Sequence, residues 1–381
     1  MAENKIGGGT PSTKINAYWN GDLPWIQSSD IEEGIVLKAN VKKKITKLGL
    51  DKSSAKLVPE KSIAIVTRVG VGKLAYMPYQ YSTSQDFLSL SNLKEDHFFL
   101  TYLLYKTLNE GANSQGTSIK GITKDYLLSI NMFVPSKDEQ RKIGKLFSKI
   151  DTTITLQQRK LNSLQKLKKG LLQKMFPKNG ENIPEIRFPE FSDAWKQREL
   201  CSLTKRIQGN DGRMDLDILT ISAGNGWMKQ EERFSGNIAG KEQKNYTLLH
   251  KGELSYNHGN SKLAKYGAVF SLQNFEEALV PRVYHSFKML SGSAKFIEYY
   301  FATKLPDREL GKLISSGARM DGLLNIKYDD FMGIKLTIPS EMEQHKISTF
   351  FSKLDNTITL QQRKLESLQK LKKGLLQQMF I

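Results

Sequence analysis

The most suggestive residues for chemistry in this 381-residue chain are the glycine turn Gly70-Val71-Gly72 and Lys73, which follows it. A glycine turn before a lysine is typical of phosphate-binding loops, in which backbone N–H groups and the ammonium surround a phosphate. A Walker A loop also needs a glycine at position 67 and a hydroxyl residue at position 74. This chain has Thr67 and Leu74 there. We therefore predict no nucleotide site at this turn.

Motifs for other chemistry are missing as well. A PD-(D/E)xK nuclease holds a metal with clustered carboxylates, but the pair Pro306-Asp307 is followed by no Asp/Glu-x-Lys. A DNA amino-methyltransferase needs an Asn/Asp-Pro-Pro-aromatic element, and the sequence has no Pro-Pro pair. Cys201 is the single cysteine, and the five histidines form no HExxH motif. The sequence predicts neither a zinc site nor catalysis by this polypeptide.

A long internal repeat organises the chain instead. Residues 140–176 return as residues 344–380 at an offset of 204, and 29 of the 37 aligned positions are identical. Between the repeats the sequence diverges, which predicts the order globule, conserved helix, globule, conserved helix. The boundaries that we expect are 1–137 for a first domain, 138–176 for a central helix, 177–341 for a second domain and 342–381 for a C-terminal helix. Residues 177–193, which carry three prolines, are the expected linker within the third segment.

Both copies of the repeat have helical periodicity. Apolar residues recur in steps of three and four, at Ile143, Phe147, Ile150, Ile154, Leu161, Leu164 and Leu171 in the first copy and at Ile347, Phe351, Leu354, Ile358, Leu365, Leu368 and Leu375 in the second. Gln157, Lys168, Gln361 and Lys372 interrupt this stripe. Each helix would be a rod of about 55 Å, and the two stripes would pack against each other in an antiparallel coiled coil. The alternative, in which each helix lies on its own globule, stays open. We interpret Gly170 and Gly374 as a close crossing or a helix end.

The globules have mixed helix and strand signals. Residues 62–67 and 73–76 are β-branched, apolar runs around the glycine turn, and residues 97–108 have helical spacing. Residues 253–256 and 267–270 alternate as strands do, and a helix is expected near 294–303. The predicted fold class is α+β, with two mixed α/β domains separated by two long antiparallel coiled-coil helices.

The charge is concentrated on the repeats. Of a formal net charge of +18, residues 140–176 contribute +9 and residues 344–381 contribute +5. The first copy has a single acidic residue, Asp151, although solvated helices usually interleave Glu with Lys. Basic side chains could merely form solvated helix faces, but we expect an anionic partner, either phosphate or an acidic protein. No segment is apolar enough to span a bilayer and no signal peptide is evident, so we expect a cytoplasmic protein without a membrane partner.

Short motifs relate this arrangement to a known family. The sequences Pro-Ser-Lys-Asp-Glu-Gln at 135–140 and Pro-Ser-Glu-Met-Glu-Gln at 339–344 stand at the two helix entrances, and residues 9–12 and 18–25 fit the opening of a recognition domain. Together with the repeat, they closely resemble the specificity subunit of bacterial type I restriction-modification enzymes over essentially the whole chain. One feature differs: the lead-in at 183–200, which the family usually carries before both domains, occurs here only before the second.

The resemblance implies a function and partners. Each divergent domain would be a target recognition domain that reads one half of a bipartite double-stranded DNA target. The helices would space the domains and dock two methyltransferase (modification) subunits, and two restriction (motor-nuclease) subunits would join them. The chain itself would be non-catalytic and hold no cofactor or metal. S-adenosylmethionine and ATP would bind the partner subunits of a site-specific deoxyribonuclease and adenine DNA methyltransferase. A coiled-coil scaffold that binds no DNA is the alternative.

For DNA contacts we select polar and basic residues beside turns, where side chains can reach base edges. In the first domain they are Lys73, Ser84, Gln85, Gln115, Thr117, Ser118 and Lys120. In the second domain they are Asn257, Asn260, Lys262, Arg282 and Arg319.

Overall fold

The computed structural model describes residues 1–114, 123–178, 180–234, 240–259, 261–314 and 323–380. The chain divides into two compact units, Met1–Leu161 with Leu360–Ile381, and Asn162–Thr359. Each unit thus contains one globule and segments of both long helices, whereas the sequence prediction treated the helices as segments of their own.

The first unit mixes strands and helices. Its strands are β1 (Ala2–Gly7), β2 (Trp19–Ile26), β3 (Lys43–Ile45), β4 (Ser62–Val66), β5 (Leu74–Met77), β6 (Ser82–Thr83) and β7 (Phe87–Leu93). Its helices are α1 (Lys47–Asp51), α2 (His97–Ser114), α3 (Lys124–Ser129) and the long α4 (Lys137–Lys174), whose last part belongs to the second unit.

An antiparallel sheet carries the core of the first unit. Its strand order is β1-β7-β4-β5, and a smaller sheet has the order β3-β2-β6. Ile63 and Leu90 of the main sheet pack in one cluster with Phe99 of α2 and Phe147 of α4. Because these side chains are almost fully buried, the sheet, α2 and the long helix form a single hydrophobic core.

The second unit has more and shorter strands. They are β8 (Lys196–Glu199), β9 (Thr204–Ile207), β10 (Leu219–Ser222), β11 (Gly226–Lys229), β12 (Thr247–His250), β13 (Leu254–Asn257), β14 (Ala268–Ser271), β15 (Glu277–Val280), β16 (His285–Met289) and β17 (Lys335–Ile338). The helices are α5 (Leu200–Leu203), α6 (Gln230–Phe234), α7 (Ala294–Ala302), α8 (Asp307–Lys312), α9 (Tyr328–Met332) and the long α10 (Glu341–Met379), whose last part belongs to the first unit.

The main sheet of the second unit repeats the topology of the first. Its strand order is β14-β13-β16-β9. When β9, β13, β14 and β16 are matched in chain order with β1, β4, β5 and β7, this is the order of the first sheet read from its other edge, β5-β4-β7-β1. In both units a helix then packs on the sheet, and a short helix precedes the long one. The two globules therefore share a fold plan although their sequences diverge.

The entrances of the long helices explain the repeated Pro-Ser-x-x-Glu-Gln motif. Ser136 Oγ accepts from the N–H of Glu139 and Ser340 Oγ from the N–H of Glu343, both at 3.4 Å. These bonds satisfy free donors in the first turn. The glutamines fold back, so that Gln140 Nε2 donates to the Pro135 carbonyl at 2.8 Å and Gln344 Nε2 to the Pro339 carbonyl at 3.1 Å. The motif fixes where each helix begins.

The interpretation of the two helix glycines needs correction. Gly170 and Gly374 both lie inside their helices, several residues before the last turn ends. A Cβ atom built at either position would meet no heavy atom of the described chain within 4 Å. Neither glycine marks a helix end or a close crossing with the described residues.

Candidate nucleic-acid interface

A cleft of about 690 Å³ opens in the second unit beside the main sheet. Four exposed cations line it: Arg206 on β9, Lys244 in a 3₁₀ turn, Arg282 between β15 and β16, and Lys327 just before α9. Among the described residues the cleft has no acidic lining, and none of these four cations forms an ion pair. A positive, unpaired concave surface attracts phosphate. We call these four residues with their cleft the basic cleft.

Stacked rings form the floor of the basic cleft. His258 and His285 line the cleft with their rings 4.9 Å apart and nearly parallel. Tyr256 packs against both histidine rings and stacks on Phe331 at 4.1 Å, outside the cleft lining. The Arg206 guanidinium carbon lies 3.9 Å from the centre of the Tyr328 ring. The ring positions the guanidinium by a cation–π contact, and the Gln208 side-chain oxygen accepts from its Nη2 at 2.8 Å and its Nε at 3.1 Å.

The histidines of the floor are held by backbone carbonyls. His258 Nδ1 lies 2.6 Å from the Leu324 oxygen, and its Nε2 lies 2.9 Å from the Val283 oxygen. His285 Nε2 lies 2.9 Å from the Ile326 oxygen. The pKa of His285 is lowered to about 4, chiefly by burial and also by the charges of His258 and Arg206, while the hydrogen bond with the Ile326 carbonyl opposes the shift. His285 is therefore neutral at pH 7.

Our second-domain candidates divide between the cleft and other places. Arg282 is exposed and lines the basic cleft. Asn257 is half-buried and bonds to the backbone, since its Nδ2 donates to the Ile221 carbonyl and its Oδ1 accepts from the N–H of Gly259. Lys262 is exposed outside the cleft lining. Asn260 and Arg319 lie outside the described residues.

The first-domain candidates are less uniform than we expected. Gln85 is exposed, and its Oε1 accepts from Thr10 Oγ1 at 2.5 Å. Lys73 is half-buried after its glycine turn. Ser84 is buried with only 4% of its surface exposed, and its hydroxyl donates to Asp86 at 3.2 Å. That placement does not suit base contact, because the hydroxyl already holds the turn. Gln115, Thr117, Ser118 and Lys120 lie outside the described residues.

A smaller basic surface occurs in the first unit on β3 and the start of α1. Lys43, Lys44 and Lys47 are exposed there and form no ion pair within the described part of the chain. The Lys43 ammonium lies 5.7 Å from the ring centres of both Trp19 and Trp25. Lysines beside aromatic rings are a common combination in nucleic-acid binding. This patch is the first unit's strongest candidate for DNA contact.

None of the predicted stripe residues on the two long helices is exposed. Within the first unit, Phe147 and Leu161 of α4 and Leu365 of α10 are buried, and the partly buried Leu375 packs in the same cluster as Phe147. Within the second unit, Phe351 is fully buried, and Leu171 and Leu354 pack against its cluster. The apolar stripe therefore forms part of the core in each unit.

The polar residues that interrupt the stripe join the helices in the first unit. Lys372 Nζ lies 2.6 Å from Asp151 Oδ1, and both side chains are only 7% exposed. Tyr102 donates to the other Asp151 oxygen at 2.8 Å, and Lys372 also donates to the Gly34 carbonyl at 2.8 Å. Burial and Asp151 raise the pKa of Tyr102 far above its ordinary value, so the phenol remains a donor. Asp151, Lys372 and Tyr102 are the first ion-pair cluster.

The second unit has the matching arrangement. Lys168 Nζ lies 2.5 Å from Asp355 Oδ1, and Tyr299 donates to Asp355 Oδ2 at 2.8 Å. Burial raises the pKa of Tyr299 far above its ordinary value. Asp355, Lys168 and Tyr299 are the second ion-pair cluster. Each aspartate meets the lysine of the other repeat. In the first unit Phe147 packs on Phe380 and Asp151 pairs with Lys372, and in the second unit Lys168 pairs with Asp355 and Phe176 packs near Phe351, so the paired segments run antiparallel within each unit.

Amides and terminal aromatic residues complete the helix contacts. Gln361 Nε2 donates to Gln157 Oε1 within the first unit. The Phe380 ring packs 5.3 Å from Phe99, whereas Phe176 packs 5.5 Å from Phe296 in the second unit. The sequence prediction did not select these two phenylalanines. The sequence feature that could have indicated them is that each is the last residue of its repeat.

Other kinds of site have no support within the described ranges. No group of three or more His, Cys, Asp or Glu residues is arranged to hold a metal ion there. No helix in the described part of the chain combines the length and the apolar character that crossing a bilayer requires.

Comparison with known proteins identifies relatives. The family model described as type I restriction modification DNA specificity domain matches residues 2–166 and 195–370. The MjaIX specificity subunit of Methanocaldococcus jannaschii is 27% identical over 218 residues, which cover 54% of this chain and 50% of that subunit. The MjaVIII specificity subunit of the same organism is 21% identical over 97% of this chain and 88% of its own length.

A solved structure shares the fold. The S subunit of a type I restriction-modification system from M. genitalium superposes with a TM-score of 0.62 at 14% identity, over 99% of this chain and 93% of that one. At this identity the match supports the fold, two mixed helix-and-strand globules with two long helices.

Proposed function

The chain belongs to the family of type I restriction-modification DNA specificity subunits, and on this premise we propose that it reads a bipartite double-stranded DNA target. Each globule would read one half-site. The observation that carries this proposal is the basic cleft, which combines unpaired cations, stacked rings and polar groups on a unit whose sheet topology is repeated in the other unit. Cations position the phosphate backbone, and arginine side chains discriminate bases.

The partners follow from the same premise. We propose that the long helices dock two methyltransferase subunits and that two restriction subunits complete the complex. The exposed lysines and arginines on both helices offer a basic surface to either a protein or DNA. S-adenosylmethionine and ATP would be held by these partners, and this chain would be non-catalytic in a cytoplasmic complex.

Arg206→Ala tests DNA reading by the second globule. Together with its methyltransferase, the variant should methylate sites in which one half of the target is relaxed and the other half is unchanged. The expected loss of discrimination is about 1–3 kcal/mol, the contribution of a bidentate arginine–base contact. Sequencing of methylated host DNA measures both halves in one experiment.

Arg308→Ala is the matched control, because Arg308 is exposed on α8 of the same unit and does not line the basic cleft. It should leave both half-sites unchanged. Equal effects of the two variants would show that the cleft does not read DNA. If the assembled protein retains no duplex DNA in a sequence-dependent manner, the alternative of a coiled-coil scaffold is correct.

A further inference from the structure

Arg206 is held on two sides, unlike the other cations of the basic cleft. It stands on β9, the last strand of the main sheet, and its side chain is exposed. The guanidinium lies over the Tyr328 ring, with its carbon 3.9 Å from the ring centre. Gln208 binds one edge of the group, because its side-chain oxygen accepts from Nη2 at 2.8 Å and from Nε at 3.1 Å. A ring beneath the guanidinium and an amide at one edge fix its position.

The support continues behind Tyr328. The His285 ring packs edge-on against the Tyr328 ring, with 5.5 Å between the ring centres, and its other neighbour is the stacked His258 ring. Backbone carbonyls hold both histidines, so the ring beneath Arg206 rests on a fixed base. A cation that is already in place loses little side-chain freedom when a ligand binds.

One edge of the guanidinium stays open. Gln208 engages the N–H of Nε and one N–H of Nη2. The outer edge consists of Nη1 and the second hydrogen of Nη2, and no hydrogen bond to this edge is present within the described ranges. Donors on the two terminal nitrogens of an arginine lie side by side, in the geometry that binds two neighbouring acceptors.

The other three cations of the cleft have no such support. Lys244, Arg282 and Lys327 are exposed. In the described part of the chain none of them contacts an aromatic ring or forms a side-chain hydrogen bond. An ammonium is a point charge that cannot bind two acceptors as a fork, and a free arginine must first be ordered. These three side chains therefore suit phosphates, which position DNA without reporting its sequence.

Resting on the proposed function, we propose that Arg206 reads a guanine in the half-site of the second unit, with Tyr328 and Gln208 as positioning residues. Guanine presents two acceptors, O6 and N7, in the major groove, whereas adenine has a donor beside N7 and cytosine presents a donor. The Gln208 oxygen is engaged by Arg206. Gln208 therefore cannot form the bidentate amide–adenine contact, which needs that oxygen. A G·C pair is the base pair that fits this part of the cleft.

Arg206→Lys tests the proposal, because it keeps the positive charge and removes the fork. The variant is expressed with its methyltransferase, and methylated host DNA is sequenced. Discrimination should fall by about 5- to 100-fold at one G·C pair of one half-site, the scale of a bidentate arginine–base contact. Every other position of the target should be unchanged. Arg282→Lys is the matched control, since the same exchange at a phosphate contact of the same cleft should leave the whole target unchanged.

Variants of the positioning residues sharpen the test. Gln208→Leu and Tyr328→Leu should relax the same G·C pair as Arg206→Lys, and Tyr328→Phe should not, because it keeps the ring. Gln208→Leu should add little when combined with Arg206→Lys, since the fork is already lost. A merely structural role would lower methylation of all targets and leave the recognised sequence as it is.

A duplex probe checks the contact itself. It carries, at the relaxed pair, a guanine analogue in which a C–H group replaces N7. The analogue should weaken binding of the original chain with its methyltransferase and leave the affinity of the Arg206→Lys complex unchanged. Relaxation at an A·T pair or at several positions, an unchanged target with Arg206→Lys, or equal effects of the two lysine variants would overturn the guanine contact while sequence-dependent DNA binding persists. Loss of all sequence-dependent retention of DNA by the original complex would overturn the proposed function as well.

Discussion

The two ion-pair clusters are built from the same residues of one repeated sequence, yet they differ in burial. In the first unit, Asp151 and Lys372 are each 7% exposed. In the second unit, Lys168 is 28% and Asp355 is 32% exposed. The repeats supply the aspartate and the lysine in both cases, so the surrounding globules must cause the difference.

The enclosing groups account for it. Lys372 donates to the Gly34 carbonyl and lies 5.5 and 5.6 Å from the rings of Tyr102 and Tyr105. Lys168 has one such ring, Tyr299, at 5.6 Å. An identical pair therefore contributes differently to stability, because removing one partner of a buried pair leaves an uncompensated charge, whereas water solvates a partly exposed one.

The largest expected effect tests that comparison directly. Asp151→Ala should lower the free energy of unfolding by about 3–5 kcal/mol, because it leaves Lys372 buried without its partner. Asp355→Ala removes the same side chain from the repeat counterpart and should cost about 1 kcal/mol. Denaturant unfolding followed by hydrogen exchange in each unit measures both losses. Equal losses would show that burial by the globules does not set the strength of the pair.

A second difference between the units is the histidine pair beneath the basic cleft. Burial lowers the pKa of His285 to about 4, below the value of about 6.5 for an unfolded chain. A depressed pKa means that the unfolded state binds the proton first as the pH falls. The contribution of neutral His285 is therefore complete above pH 6.5 and is lost between about pH 6.5 and pH 4.

The resulting pH dependence should be confined to the second unit. From pH 6.5 to pH 4 the free energy of unfolding should fall by up to about 3 kcal/mol relative to a His285→Phe variant. Comparison with this variant cancels the titration of carboxylates in the same range. Parallel curves for the two proteins would contradict a neutral, buried His285.

Much of the helical architecture could be predicted because its signals are local. The apolar stripes have a regular period, and Ser136 and Ser340 stand directly before α4 and α10, where their hydroxyls accept from first-turn N–H groups. α4 and α10 begin at Lys137 and Glu341, one residue before the predicted boundaries. The family match confirms the resemblance to type I specificity subunits that these repeats indicated.

The basic cleft could not be predicted because its parts are far apart in sequence. Arg206, Lys244, Arg282 and Lys327 come from four separate elements and share no motif. Only Arg282 was selected, by its place beside a turn. Ser84 shows the opposite failure, since a polar residue at a turn was expected to be exposed, but its hydroxyl is bound to Asp86 inside the protein.

The ion-pair clusters could be predicted in part, less well than the helices and better than the basic cleft. Lys168 and Lys372 were visible as interruptions of the stripe, and Asp151 as the single acid of the first repeat. Their pairing was hidden, because it joins residues of different repeats and depends on Tyr102 and Tyr299 from the divergent globules. Local patterns thus predicted which residues were unusual, but the residues with which they pair could be identified only from the folded structure.

The smallest expected effect concerns positions where the two units should behave alike. Gly170 and Gly374 face open space inside their helices, so the globules cannot distinguish them as they distinguish Asp151 and Asp355. Glycine costs up to about 1 kcal/mol relative to alanine in a helix interior. Gly170→Ala and Gly374→Ala should each raise the free energy of unfolding by about this amount, measured by denaturant unfolding of the isolated chain. Unequal gains, or a loss at either position, would mean that the globules act on this part of the repeat too.

A gain in the isolated chain combined with weaker binding of the methyltransferase would instead locate a close partner contact at the glycine, because the variant differs from the original protein only by an added methyl group.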